Sequence, residues 1–160
     1  MSSEVIGIVK RIRKEISELY KIKDSALRRW QKTLKDEDYL GSVAFDLQSF
    51  YQGVERVFEI ISKSIDQSVP DGEKWHKMLL EQMTKKIPGI RPAVISTETR
   101  EALDQFRMFR HLANNIYSFN LVPKRIKVLI DSISGAVDLV CKDFSLFSDF
   151  LEQSSALKGE

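Results

Sequence analysis

Cysteine and histidine are nearly missing from this chain of 160 residues: it has one thiol, Cys141, and two imidazoles, His76 and His111. A single thiol excludes an internal disulfide framework and a Cys-rich zinc site, and it suits a reducing cytoplasm. The two histidines lie 35 residues apart, with no HExxH and no Cys/His cluster, so no metal centre is expected. Glycine is scarce too. The seven residues are scattered and form neither a P-loop nor a dinucleotide fingerprint, and no cofactor is expected. No serine stands on a recognisable nucleophile elbow. No apolar run approaches membrane-spanning length, and the leading MSSEVIGIVKRIRKE lacks the apolar core of a signal peptide. Neither membrane insertion nor secretion is therefore expected. Period-2 alternation, internal repeats and low-complexity tracts are also absent.

What is present is helical periodicity on a globular composition, 42% hydrophobic and 30% charged. Val5, Val9, Ile12, Ile16, Leu19, Leu27, Trp30 and Leu34 predict one long helix over roughly 5–34. Asp36-Glu37-Asp38 breaks it and gives the next helix negative charge at its start. That second helix runs to about Asp66, with Leu40, Val43, Leu47, Phe50, Val54, Val57, Phe58, Ile61 and Ile65 inward. After the turn Pro70-Asp71-Gly72, a third helix extends from Glu73 to about Ile87, burying Trp75, Leu79 and Met83. PGIRPAVIS, from Pro88 to Ser96, reads as a loop, because Pro92 biases Arg91 away from helical angles. Ser96 or Thr97 caps a fourth helix, and Pro123 opens a fifth. The fifth buries Ile126, Leu129, Ile130, Ile133, Val137, Val140, Phe144, Phe147 and Leu151. The expectation is an all-α antiparallel bundle of about five helices, one domain over 1–153, with a polar, frayed tail over 154–160.

Charge is unevenly distributed. Residues 1–35 carry ten Lys or Arg against four Asp or Glu, and residues 36–72 carry two against eight. Complementary faces on two adjacent antiparallel helices account for this most simply. A basic strip meeting a phosphate backbone is the sharper alternative, weakened by the dilution of the strip and the lack of an interleaved aromatic platform.

The fourth helix is the richest stretch. In Arg100–Leu121, REALDQFRMFRHLANNIYSFNL, one face collects Phe106, Phe109, Leu112, Ala113, Ile116 and Phe119, which predicts core. The other collects Asp104, Arg107, Arg110, His111, Asn114 and Ser118, with Tyr117 at the seam. Plain structural roles exist for most of these. Arg107 and Arg110 suit carboxylates of a neighbouring helix such as Glu55, and equally a phosphate. His111 suits a surface or interface hydrogen bond, and His76 beside Trp75 reads as structural. Glu55 and Glu59, at i,i+4, read as a solvated edge rather than half of a di-metal site. Adjacent Asn114 and Asn115 fit a structural role least well, being poor formers in mid-helix.

The stretch FRMFRHLANNIYSFNLVPKR resembles the signature helix of the HepT-like branch of the HEPN superfamily. FYQGVERVFEII, Phe50–Ile61, resembles that branch's second helix. GEKWHKMLLEQM and PGIRPAVIS follow in the expected order, so the resemblance covers most of the chain. It implies a HEPN-type helical bundle, commonly a homodimer. Many members are metal-independent ribonucleases of toxin–antitoxin type, often beside a nucleotidyltransferase partner protein. The branch's motif is RNxxxHxY. Arg110 takes its Arg position and Tyr117 its Tyr position, while His111 stands at the usual Asn and Asn115 at the usual His. A carboxamide cannot serve as general base, whereas imidazole can. The resemblance therefore implies a catalytic set of Arg110, His111, Asn115 and Tyr117. Arg107 and Asn114 would bind substrate and Glu55 would support the arginine. Arg110 and position 115 stand about 140° apart on an ideal helix, so the implied site needs two copies of the helix. Two functions follow: binding of RNA or a nucleotide at a dimer interface with a degenerate motif, or surviving endoribonuclease activity with His111 moving protons.

Overall fold

The structure, a computed structural model, describes residues 2–113 and 120–158, the side chains of 156–158 excepted. Among these residues it is an all-α bundle: α1 (Ser3–Thr33), α2 (Leu40–Ile61), α3 (Trp75–Met83), α4 (Thr97–Ala113) and α5 (Pro123–Lys158). The expected motif residues Asn114, Asn115 and Tyr117, with Ile116, Ser118 and Phe119, lie outside the described residues.

The caps follow the side-chain chemistry at each start. Ser2 Oγ accepts from the Val5 amide at 3.2 Å, and Asp36 Oδ1 accepts from the Asp38 amide at 3.0 Å, opening a short 3-10 turn ahead of α2. Helix α1 packs antiparallel to both α2 and α5. Arg29 pairs with Asp46 at 3.1 Å and Glu15 with Arg56 at 2.9 Å, while Arg13 reaches Asp149 and Glu152, each at 3.0 Å. Only one of the two α1–α2 bridges joins a base of α1 to an acid of α2, so charge complementarity is a minor part of the packing. The close approach comes instead from Gly53. A Cβ there would stand 2.5 Å from Glu15 Oε1 and 2.9 Å from Leu19 Cδ2. Phe50 against Phe106 (centroids 5.0 Å apart) and Phe58 against Phe144 (5.9 Å), both edge-on, close the core between α2, α4 and α5.

Four local expectations need correction. Helix α3 ends at Met83 rather than near Ile87, because the amides of Val94 and Ile95 both donate to the Met83 carbonyl, at 2.9 and 3.2 Å, and turn the chain. Leu34 lies past the end of α1 and is exposed. Leu112 is 40% exposed although it falls on the apolar stripe; among the described residues of that stripe, Phe106 and Phe109 are buried. Helix α5 continues to Lys158, beyond Gln153, with no Gly or Pro over 154–158 to stop it.

The loop between α3 and α4 is pinned from inside. The side chain of Arg91, wholly buried, grips the equally buried side chain of Asp66 with Nε (2.5 Å) and Nη2 (2.6 Å). It also donates to the carbonyls of Lys85, Pro92 and Gln82. Asp66 ends a single π-helical turn, Ser62–Asp66, that finishes α2. The pair thus ties the end of α2 to the loop that sets where α4 begins. At that start, Ser96 Oγ accepts from the Thr99 amide at 3.1 Å, and Asp143 of α5 accepts from the Ser96 amide and the Thr99 hydroxyl.

Candidate functional site

Glu55 lies on the buried stripe of α2, one turn after Tyr51 and one before Phe58, and is only 3% exposed. The solvated edge expected of Glu55 and Glu59 is therefore wrong for Glu55: only Glu59 faces solvent. A carboxylate in that position needs donors on both oxygens. They come from two other helices. Arg110 Nη1 of α4 donates to Oε1 at 2.6 Å, and His76 Nδ1 of α3 meets Oε2 at 2.6 Å. With Arg110 holding the carboxylate as an anion, the short contact to His76 is a donation from Nδ1–H. The two donors, each on its own oxygen, lie 3.0 Å apart.

Burial pushes the Glu55 carboxyl up from its ordinary range, while the His76 hydrogen bond and the His76 and Arg110 charges act the other way. The same burial, with Glu55 nearby, raises the Tyr51 phenol. Tyr51 Oη and Arg110 Nε are buried without a hydrogen-bond partner among the described residues. A carboxyl perturbed by burial beside specific charged partners in a cleft is a feature of functional sites.

These groups back a cavity of about 280 Å³ between α2, α3 and α4, at the small end for ligand pockets. Among the described residues its wall carries four cations, Lys74, Lys77, Arg107 and Arg110, both histidines, Tyr51, and one acid, Glu73. Arg107 Nε is held by Asp104 on its own helix at 2.8 Å. The structure thus brings together Glu55, Arg107, Arg110 and His111 of the expected residues. It adds His76, Tyr51, Lys74 and Lys77, which the sequence reading did not place in the site. One signal for them existed: an acid inside the apolar stripe of α2 demands a buried basic partner. Arg110, on the polar face of α4, pairs with Glu55 of α2, the carboxylate partner that the sequence offered it beside a phosphate. Among the described residues no three His, Cys, Asp or Glu side chains gather as a metal site. No helix among them is long and apolar enough to cross a membrane.

The fold is a helical bundle with Arg110 paired to the buried Glu55, and the sequence assigns the chain to a family. A family model described as HepT-like protein matches residues 42–151, and the chain belongs to this family. No curated protein and no solved structure matches it. The matched span contains Glu55, His76 and Arg110, and leaves out the whole of α1.

Proposed function

We propose that this protein binds RNA or a nucleotide through its phosphates at the α2–α3–α4 cavity, as a homodimer, with a ribonuclease motif made degenerate by Asn115. The observation that carries the reading is the cavity wall, where four Lys and Arg side chains converge against one exposed-side acid. Such a wall attracts a phosphate backbone. Among the described residues, no partner takes the buried Nε of Arg110, which lines the cavity. The case for a second copy rests on the family resemblance and on apolar side chains left outside, Met78 on α3 and Met108 and Leu112 on α4. A nucleotidyltransferase-type partner and a toxin–antitoxin setting rest on the family resemblance alone.

Fluorescence anisotropy with a short single-stranded RNA across a salt series tests the reading. Binding should weaken with salt, and Lys77→Ala and Arg107→Ala should each flatten the log–log slope by about 0.7, the value for one phosphate contact on a single strand. Affinity indifferent to salt and to both substitutions would refute it. Sedimentation at micromolar concentration should give the mass of a dimer; a monomer would remove the interface from the proposal.

A further inference from the structure

The motif reading leaves His76 unused, yet the fold sets this imidazole beside the motif arginine. Its Nδ1–H on Glu55 fixes both the ring and the tautomer, so that the neutral ring carries its lone pair on Nε2. Nε2 has no hydrogen-bond partner among the described residues. The side chain is 31% exposed and forms part of the cavity wall with Arg107 and Arg110. Trp75 stacks on the ring, centroids 3.6 Å apart, and restrains it further. A buried carboxylate, an imidazole held through Nδ1, and a guanidinium 3.0 Å from that nitrogen are together the parts of a phosphodiester-cleaving site.

We infer that His76, oriented by Glu55, is the general base of a metal-independent RNA cleavage in this cavity and supplies the proton transfer that Asn115 cannot. The inference rests on RNA being the ligand of the cavity. Arg107 and Arg110 hold the phosphate. The ribose 2′-hydroxyl gives its proton to His76 Nε2 and its oxygen attacks the adjacent phosphorus. The P–O2′ bond forms as the P–O5′ bond breaks. The 5′-oxygen leaves with the bonding pair and takes a proton from water, and His76 returns its own to solvent. The products are a 2′,3′-cyclic phosphate and a 5′-hydroxyl, with no change of oxidation state. Glu55 is a positioning residue in this scheme.

The test uses the full chain, a short fluorescent single-stranded RNA of mixed sequence, and EDTA throughout, with anisotropy run in parallel. Wild-type protein should cleave the RNA to cyclic-phosphate ends and leave its 2′-O-methyl analogue intact. His76→Gln, which keeps an amide donor for Glu55, should lose about 10²–10⁴-fold in rate with RNA affinity preserved. Added imidazole should restore part of the activity of His76→Gly, which a purely structural role would not allow. Glu55→Gln should lose about 10–100-fold, the usual effect of removing a partner that orients an imidazole. RNA bound but not cleaved overturns the inference and leaves the binding reading standing. RNA not bound overturns both. Cleavage untouched by His76→Gln, or lost with His111→Gln alone, moves the base elsewhere and also overturns it.

Discussion

Replacing Arg91 by Met removes the cation from the most buried ion pair described in the fold while keeping a flexible apolar side chain of similar reach. Both partners are at 0% side-chain exposure, so solvent screening does not soften the loss. The guanidinium makes five hydrogen bonds, two to Asp66 and three to carbonyls of the 82–92 segment. After the change Asp66 keeps only the Gln82 side-chain amide, at 2.8 Å, among the partners described here. Removing one member of such a pair costs about 3–5 kcal/mol, mostly because the other charge is left buried and unpaired. That is a large part of the roughly 5–15 kcal/mol that holds a domain of this size. Urea unfolding followed by far-UV circular dichroism should show a much lower midpoint for Arg91→Met. Adding Asp66→Asn should recover part of it, since the stranded charge is then gone. A loss below about 1 kcal/mol, or a double variant no better than the single one, would refute the reasoning. The same variant bears on the site, because the Arg91–Asp66 pair fixes the loop from which α4 brings Arg110 to Glu55.

Alanine at glycine positions should change sign along the chain. Gly7→Ala and Gly135→Ala, with nothing within 4 Å of the new Cβ, should each gain up to about 1 kcal/mol of helix propensity. Gly53→Ala should lose despite the same propensity, because the fully buried Leu19 and the Glu15 carboxylate held by Arg56 must move; equal gains at all three would contradict the close α1–α2 contact. Burial pushes the Cys141 thiol up to about 12, so the folded chain keeps a proton that the unfolded chain gives up near about 8.5. Stability should be intact below that pH and fall as pH rises toward the folded value. Cys141→Ala should reduce this alkaline decline without abolishing it, since the raised Tyr51 phenol acts in the same direction; identical urea midpoints for the two proteins across the alkaline range would show that the thiol is not protected.

The sequence by itself determined the helices and the breaks between them. An apolar period of 3.6, Pro123 in a first turn, Ser96 or Thr97 as a cap, and Gly and Pro between α3 and α4 are local signals, readable within a few residues of where they act. The buried faces of α2 and α5 follow from that period alone: of the inward residues it picks on both helices, only Ile65 is less than buried. Tertiary structure decided the rest. It ended α3 at Met83 through two amides arriving from Val94 and Ile95, left Leu112 on the surface at the edge of its stripe, and made Glu55 a buried acid instead of an exposed one. Above all it set His76 against Glu55 and Arg110, residues 21 and 34 positions away along the chain. Periodicity fixes which way a side chain faces on its own helix. It carries no information on the relative height and crossing of helices, and three helices must be placed against one another before a carboxylate, an imidazole and a guanidinium meet.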